Sequence, residues 1–210
     1  MTGSASPSIP LHLVEAAFPA LGLSLPAGVA EALVRHAEEM LRWNRSIRLT
    51  AITDPREVVV KHILDSLLLL RFGPFQGRIL DVGSGAGYPG IPLAACLPDC
   101  RVTLVEAAGK KCAFLSRAVA MLGLKNVEVI HGRIALKGGV VPGLFETVVS
   151  RATFPPEEAI PLLAPLVSPG GRLLLMTGPQ VESAPPFEGR TMTFDLPYGM
   201  GTRTIREVKK

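Results

Sequence analysis

The stretch GRILDVGSGAGYPGIPLA, residues 77–94, decides the fold, because a short apolar strand runs directly into a loop rich in glycine. Four glycines follow the strand within eight residues, namely Gly83, Gly85, Gly87 and Gly90. Since glycine has no side chain, a ligand can approach such a backbone closely. In open α/β sheets, a strand followed by a glycine loop and a helix binds nucleotides at the carboxyl end of the strand. The stretch therefore predicts a nucleotide-like ligand.

Two ligand classes fit the glycine spacing. Gly85, Gly87 and Gly90 match the G-x-G-x-x-G pattern that cradles a dinucleotide pyrophosphate. One frame earlier, Asp81 and the first three glycines match the loop of methyltransferases that use S-adenosylmethionine. Asp81 favours the second class, because a carboxylate repels a phosphate by roughly 1 kcal/mol at about 4 Å in water and by more in a drier cleft. The ammonium and sulfonium of S-adenosylmethionine would instead be attracted, directly or through water.

A second carboxylate, Glu106, lies 21 residues after Gly85, at the end of the next predicted strand. A carboxylate there can accept hydrogen bonds from both ribose hydroxyls of a bound nucleoside. It suits NAD and S-adenosylmethionine equally. An NAD-dependent oxidoreductase therefore stays open beside a methyltransferase, and a tight strand-to-helix turn without a ligand is the simplest alternative.

Apolar runs alternate with helix-like segments after residue 77, which predicts a Rossmann-like, mostly parallel α/β sheet. Residues 1–76 show helical spacing only, so we expect an N-terminal helical cap on a core over residues 77–210, both in one domain over residues 1–210. The predicted strands cover residues 78–82, 101–106, 127–132, 145–150 and 171–177. The tail predicts an antiparallel edge hairpin over residues 191–197 and 203–210.

Composition limits the function classes. The chain has 210 residues, of which 48% are apolar and 19% charged, and its net charge of +4 permits an anionic partner without requiring one. Cys96, Cys100 and Cys112 are too few for a four-ligand zinc site, so we expect free thiols and no metal. The N-terminus lacks the pattern of a signal peptide, and no apolar run approaches the ~20 residues of a membrane span. A cytoplasmic protein is expected.

Beyond the glycine loop, the chain resembles the bacterial glucose-inhibited division protein B family, also called GidB or RsmG. The resemblance covers roughly residues 30–177, and its most specific parts are HILDSL (62–67) and ILDVGSGAGYPGIPLA (79–94). Further matching stretches are WNRSIRLT (43–50), GKKCAFL (109–115), SRA (150–152) and PGGRLLLMTG (169–178). The resemblance implies a class I S-adenosylmethionine-dependent methyltransferase that modifies N7 of a guanine in 16S ribosomal RNA. The implied partner is that RNA or a precursor of the small ribosomal subunit.

The resemblance also implies site residues. The family's donor-binding positions fall here on Gly83, Tyr88, Ile134, Ala135 and Arg151. Ile134 and Ala135 follow the third strand, where the adenine would be held, and Arg151 ends the fourth strand, at the edge where open α/β sheets bind ligands. Together with the loop and the two acids, the expected donor site comprises Asp81, Gly83, Gly85, Gly87, Tyr88, Glu106, Ile134, Ala135 and Arg151.

No catalytic base is expected, because guanine N7 already carries a lone pair and its methylation releases no proton. Alignment alone can lower a barrier by ~7–11 kcal/mol. The candidates for positioning are Arg151, His62 and Asp65. His62 and Asp65 are three residues apart on one predicted helix, so they either bond to each other at the surface or line the mouth of the substrate site.

Basic residues suggest an RNA contact. Arg42, Arg45 and Arg48 recur at every third position and would form one positive stripe if their helix continued past Trp43. Such a stripe could follow phosphates, although the same spacing fits an ordinary solvated face. These three arginines and Arg133 are the candidate RNA-binding residues.

Three positions depart from the family. Ala135 stands without the acid that usually follows Arg133, Thr177 replaces a lysine, and Arg48 replaces an asparagine. A non-catalytic RNA-binding protein that keeps the methyltransferase fold is therefore a further alternative.

Overall fold

The computed structural model describes residues 8–20, 22, 24–135, 139–140, 143–151, 153–178 and 189–210. Its helices are α1 Leu11–Ala20, α2 Val29–Asn44, α3 Pro55–Val58, α4 Asp65–Leu67, α5 Gly90–Cys96, α6 Gly109–Leu122 and α7 Pro156–Leu163. A π-helical turn, Val59–Leu64, joins α3 to α4, and 3-10 turns cover Leu68–Phe72, Ala164–Leu166 and Pro197–Gly199. The strands are β1 Arg78–Val82, β2 Arg101–Glu106, β3 Val127–His131, β4 Phe145–Arg151, β5 Val167–Thr177, β6 Thr191–Asp195 and β7 Thr202–Lys209.

The strands form one sheet in the order β3-β2-β1-β4-β5-β7-β6. Strands β1 to β5 are parallel, whereas β7 runs antiparallel to both β5 and β6. The predicted mostly parallel sheet with an antiparallel edge hairpin is confirmed. Because β1 pairs with both β2 and β4, the strand order reverses at β1, and open α/β sheets bind ligands outside the carboxyl ends of the strands at such a point.

Two apolar clusters cover the two faces of the sheet. Successive residues of β1 alternate between them: Ile79 joins the cluster formed with α1, α2, α5, α6 and the helical segment 55–72, and Leu80 joins the cluster formed with α7. Strands apolar on both faces are typical of parallel sheets buried between helix layers. The N-terminal helices thus share a core with the sheet and cover the face on which the glycine loop lies.

Strand β5 begins at Val167, four residues earlier than the predicted start at residue 171. Val167 pairs with Phe145, but the next pair joins Arg172 to Thr147, so the register shifts at the start of the strand. The intervening Ser168-Pro-Gly-Gly residues look like a turn in the sequence, and such a β-bulge accommodates them within the strand.

The N-terminal helices largely follow their sequence signals. Leu33, Ala37 and Met40 are buried on one face of α2, as their spacing predicts. The Asp54 carboxylate accepts a hydrogen bond from the Glu57 backbone N–H at 2.9 Å and caps α3. In the described ranges no helix is long and apolar enough to cross a membrane.

Helix α2 ends at Asn44, because the Asn44 side chain closes the next turn. Its Oδ1 accepts from the backbone N–H groups of Leu49 and Thr50, at 2.8 and 3.0 Å. The chain therefore folds back directly after the helix. The condition for one positive helical stripe of Arg42, Arg45 and Arg48 is therefore not met, because the helix ends at Asn44.

Candidate active site

A cavity of about 460 Å³ opens at the carboxyl edge of the sheet, beside the ends of β1, β2 and β4. It is lined by Val82, Gly83, Val105, Glu106, Ala107, Lys111, Gly132, Arg133, Ile134, Arg151, Thr153 and Phe154. Five of these residues are site residues predicted from the sequence, namely Gly83, Glu106, Arg133, Ile134 and Arg151. The topology therefore brings residues from four separate strand ends to one cavity.

A larger cavity, of about 730 Å³, lies at the opposite, amino edge of the sheet, between Arg78 and Glu128. Its lining contains none of the predicted ligand-binding residues. Because ligands of open α/β sheets bind at the carboxyl edge, the smaller cavity is the candidate site.

The glycine loop is fixed to the second strand and needs glycine at its first position. The backbone N–H groups of Gly83 and Ser84 both donate to the Val105 carbonyl, at 2.9 and 3.1 Å. Gly83 has a φ of 74°, and a Cβ there would lie 2.5 Å from Thr153 Oγ1. A side chain at Gly83 would strain the backbone and displace Thr153 from the cavity wall.

Glu106 is held in one orientation at the end of β2. Its Oε2 accepts from the Gly85 backbone N–H and its Oε1 from the Ala108 backbone N–H, both at 2.9 Å. These bonds use two of about four lone-pair positions of the carboxylate. The others remain for donors in the cavity, which fits the two adjacent hydroxyls of a ribose.

Asp81 lies beneath the loop, outside the cavity lining. It is 1% exposed, and its Oδ2 accepts from the Gly90 backbone N–H at 2.9 Å. Its Oδ1 has no hydrogen-bond partner among the described residues. Burial raises the pKa of Asp81 to about 7, although the Gly90 N–H acts in the opposite direction. The carboxyl group is partly protonated near neutral pH, so its repulsion of a pyrophosphate is weaker than its sequence position suggests.

Tyr88 is buried in an aromatic stack under the site. Its ring centroid lies 4.6 Å from that of His36 and 4.9 Å from that of His62. The Arg151 guanidinium carbon lies 5.6 Å from the Tyr88 ring centroid. Tyr88 is 2% exposed and does not line the cavity, so the structure makes it a support of the loop and of Arg151.

Both histidines of this stack are neutral in the folded protein. Burial lowers the pKa of His36 to about 4, although the bond that its Nε2 donates to the Ala86 carbonyl, at 2.9 Å, opposes the shift. Burial, followed by the positive charge of Arg151, lowers the pKa of His62 to about 3. The sequence analysis missed His36, although its place beside Ala37 on the buried face of α2 is a usable signal.

Asp65 joins two arginines from distant parts of the chain. It is fully buried, and Arg203 on β7 donates Nε to Oδ1 at 2.5 Å and Nη2 to Oδ2 at 2.9 Å. Arg151 donates Nη1 to the same Oδ2 at 3.2 Å and to the Lys61 carbonyl at 3.1 Å. Arg151 is therefore held at the cavity wall by a buried, shared carboxylate.

His62 and Asp65 do not bond to each other, so the first of the two alternatives left open for them, a mutual surface hydrogen bond, does not hold. His62 Nε2 lies 2.8 Å from the Thr50 hydroxyl oxygen, and Asp65 is occupied by arginines. Arg203 was not predicted as a site residue. Arg203 belongs to no recognisable sequence motif. It reaches Asp65 only because the edge hairpin lies beside that residue in the fold.

The remaining predicted residues occupy different places. Ile134 is 4% exposed and packs into the cluster beneath α7, and Ala135 directly follows it. Gly85 and Gly87 lie in the loop but not in the cavity lining. A Cβ at Gly87 would lie 2.5 Å from Ile91 Cδ1, so packing against α5 also favours glycine there.

The sequence matches the model of a known protein family. Residues 29–195 match the family GidB, described as rRNA small subunit methyltransferase G. The Ribosomal RNA small subunit methyltransferase G of Methylobacillus flagellatus is 43% identical over 164 residues, which cover 77% of this chain and 78% of that protein. Its namesake in Alkalilimnicola ehrlichii is 42% identical over 193 residues, which cover 88% and 86%.

Solved structures show the same fold at lower identity. A SAM-dependent methyltransferase from Aquifex aeolicus has a TM-score of 0.55 and 19% identity, and the match covers 74% of this chain and 94% of that one. An rRNA methylase from Streptococcus thermophilus has a TM-score of 0.51 and 14% identity, over 70% and 94% of the two chains.

Proposed function

The chain belongs to the rRNA small subunit methyltransferase G family, and from that premise we propose that it transfers a methyl group from S-adenosylmethionine to N7 of a guanine in 16S ribosomal RNA. It is an S-adenosylmethionine-dependent methyltransferase with a Rossmann-like fold. The observation that carries the choice of substrate is the family match over residues 29–195. Relatives at about 40% identity carry the same name, which does not favour an NAD-dependent oxidoreductase or a non-catalytic protein.

The cavity residues fit the chemistry of the donor. We assign the ribose hydroxyls to Glu106, whose carboxylate is already oriented by two backbone N–H groups. Gly83 permits close approach of the loop backbone. Ile134, which lines the cavity and is followed by Ala135, supplies apolar surface for the adenine beyond the end of β3. When bound, S-adenosylmethionine supplies an electrophilic methyl group.

Arg151 orients the methionine end of the donor in this proposal. A guanidinium carries five N–H donors, and two of the bonds that it makes here go to Asp65 and the Lys61 carbonyl. Its remaining donors can bind the carboxylate of the methionine part. Since Asp65 fixes the guanidinium before any ligand arrives, little side-chain entropy is lost on binding.

The residues of the site have no proton to remove. Guanine N7 attacks through its lone pair, and the product carries the positive charge that the sulfonium loses. The task of the protein is to hold N7, the methyl carbon and sulfur in line, which can supply ~7–11 kcal/mol. His36 and His62 would be weak proton acceptors in any case, because burial lowers their pKa to about 4 and about 3.

We further propose that the RNA lies across the carboxyl edge of the sheet, between the cavity and the N-terminal helices. Lys111 and Arg133 line the cavity and supply positive charge for phosphates. Residues 1–76 act as a cap on the core of residues 77–210, in one domain. A substrate in the ribosome places the enzyme in the cytoplasm.

The proposal is tested by methyl transfer to small-subunit RNA from cells that lack this activity. Purified protein is incubated with tritiated S-adenosylmethionine and either naked 16S RNA or intact small subunits. Digestion to nucleosides and mass spectrometry should yield 7-methylguanosine in at least one of the two samples. A label at another base or position, or no label in both samples, would overturn the proposal. A fluorescence titration with NADH provides the comparison with the oxidoreductase alternative and should show no saturable binding.

A further inference from the structure

The turn between β6 and β7 presents an exposed tyrosine at the same sheet edge as the cavity. Tyr198 is 60% exposed. Among the described residues, the other exposed large apolar side chain is Leu144, which precedes β4 at the opposite edge. Because β7 runs antiparallel to β5, with Thr204 opposite Thr177, the turn before β7 extends beyond the carboxyl ends of the parallel strands.

The backbone at Tyr198 is held in a conformation that tyrosine rarely adopts. Its φ is 61° and its ψ is 24°, which lie in the left-handed region. Among the described residues, Tyr198 is the only residue other than glycine that has a positive φ. The surrounding turn is closed by the Leu196 N–H, which donates to the Gly201 carbonyl at 2.8 Å, and Leu196 is buried. Such strain persists where neighbouring structure imposes it, and it concentrates at functional sites.

An arginine from the N-terminal helices stacks on this tyrosine. The Arg56 guanidinium carbon lies 5.3 Å from the Tyr198 ring centroid, and Arg56 is exposed on α3. Unpaired nucleobases stack on aromatic rings and on guanidinium planes. The pair therefore presents two planar groups of the kind that hold an unstacked base, on an edge that also carries positive charge.

This pair is connected rigidly to the cavity on both sides. Arg56 precedes Lys61 by five residues in the same helical segment, and the Lys61 carbonyl accepts a hydrogen bond from Arg151. On the other side, Arg203 follows the turn and is bonded to Asp65, which also holds Arg151. Tyr198 and Arg56 are thus connected, through Arg203 with Asp65 and through Lys61, to the arginine that lines the cavity.

We propose that Tyr198 and Arg56 form a stacking platform for one unpaired nucleobase of the substrate RNA, beside the target guanine. The inference rests on the proposed function, because it requires an RNA substrate at this edge. The platform contacts the π-face of the base, which all four bases have. It therefore contributes affinity and positions the RNA without distinguishing one base from another. Arg56 adds its positive charge toward the neighbouring phosphates.

The test compares Tyr198→Asn with Tyr198→Phe. Asparagine tolerates the left-handed backbone but removes the ring, whereas phenylalanine keeps the ring and removes only the hydroxyl. Steady-state methylation of the RNA substrate is measured at saturating S-adenosylmethionine, together with the dissociation constant for the RNA. Leu144→Ser, at the opposite edge, is the matched surface control. Affinity for S-adenosylhomocysteine, measured by calorimetry, reports an intact donor site.

Tyr198→Asn should raise the KM and the dissociation constant for RNA about tenfold, the effect of losing one base–aromatic stack. Tyr198→Phe and Leu144→Ser should stay within about twofold of the wild type, and binding of S-adenosylhomocysteine should not change in any variant. An unchanged affinity for RNA in Tyr198→Asn overturns the platform, whether or not kcat changes. A wild-type protein that methylates no ribosomal RNA overturns the proposed function instead, so the two failures are distinguishable.

Discussion

Arg203 and Asp65 are joined by two hydrogen bonds, at 2.5 and 2.9 Å, although 138 residues separate them in the sequence. Asp65 is fully buried, and its Oδ2 also accepts from Arg151 at 3.2 Å. Removing one partner from a buried ion pair leaves a poorly compensated charge. The C-terminal hairpin therefore takes part in holding Arg151 at the proposed donor cavity, although no described residue of the hairpin lines that cavity.

Arg203→Lys tests this indirect role. Lysine keeps the charge but cannot make the two-pronged contact with Asp65, so Arg151 loses part of its support. We expect the free energy of unfolding in urea to fall by about 1–3 kcal/mol and kcat/KM for methyl transfer to fall at least tenfold. Arg117→Lys, an exposed arginine on α6 paired with Glu39, is the control and should change neither quantity appreciably. A wild-type kcat/KM in Arg203→Lys would show that the hairpin does not support the position of Arg151.

Arg151→Ala should abolish orientation of the donor without unfolding the protein. Asp65 keeps both bonds from Arg203 in this variant, so its charge remains compensated. We expect kcat/KM to fall by about 100-fold, because small errors of alignment cost that much. Radiolabelled methyl transfer measures the loss, and circular dichroism checks the fold. Wild-type turnover in a folded Arg151→Ala protein would remove Arg151 from the mechanism.

Gly83→Ala should weaken donor binding, because the added methyl group displaces Thr153 in the cavity wall. A Cβ at Gly83 would lie 2.5 Å from Thr153 Oγ1, and the positive φ adds about 1–2 kcal/mol of backbone strain. Gly123→Ala is the matched control, since Gly123 has a similar φ of 68° and a Cβ there meets no atom within 4 Å. Both variants should lose stability through backbone strain, and Gly83→Ala should lose more because of its contact with Thr153. Calorimetry with S-adenosylhomocysteine should show weaker binding only for Gly83→Ala. Gly83→Asp should eliminate binding altogether.

Glu106→Gln should weaken the donor site selectively. The amide has the shape of the carboxylate, but one of its two ends donates hydrogen bonds, so it cannot accept from both ribose hydroxyls while it holds Gly85 and Ala108. We expect about 10- to 100-fold weaker binding of S-adenosylhomocysteine, because hydrogen bonds to charged groups contribute ~1.5–3 kcal/mol. Glu128→Gln, on the exposed side of β3, should bind as the wild type does. Equal affinities in the two variants would contradict the ribose assignment.

Acid should destabilise the protein through the two buried histidines. The pKa of His36 is about 4 and that of His62 about 3 in the folded state, below the ordinary value of 6.5. Between pH 6.5 and 4 the unfolded chain binds protons that the folded protein excludes, so the free energy of unfolding falls as pH falls. Each histidine contributes up to ~1.4 kcal/mol per pH unit. Asp81, with its pKa raised to about 7, has the opposite slope between about pH 4 and 7 and offsets part of the effect.

His36→Gln isolates one of these contributions. Glutamine can still donate to the Ala86 carbonyl but does not titrate. The slope of the unfolding free energy between pH 6.5 and 4.5, from urea titrations, should fall by up to ~1.4 kcal/mol per pH unit. An unaltered slope in His36→Gln would show that His36 is protonated to the same extent in both states.

Local signals predicted the fold well, because each of them depends on a few neighbouring residues. The β1 strand, the Asp54 cap and the buried face of α2 are all set by spacing within one or two turns. Where the sequence expectation was wrong, a single side chain decided the outcome. Asn44 closes a turn after α2 and so ends the helix, which separates Arg48 from it.

The site was less predictable, because its charges interact across the fold. Glu106 could be named from its distance to the glycine loop, which reflects the length of one strand–helix–strand unit. The triad of Asp65, Arg151 and Arg203 depends on three elements that lie far apart in the sequence, α4, β4 and β7. The burial that alters the pKa values of Asp81 and His36 is likewise a property of the assembled layers.

The wide separation of Asp65 from Arg203 has a consequence for biosynthesis. A nascent chain exposes the carboxylate long before the codon for its main partner is read, and a translation product that stops before residue 203 must bury an acid with one of its two cations missing. Truncated chains should consequently bind the donor more weakly and be cleaved by proteases more readily. Full pairing of Asp65, which also holds Arg151, therefore has to wait until the edge hairpin has been synthesised.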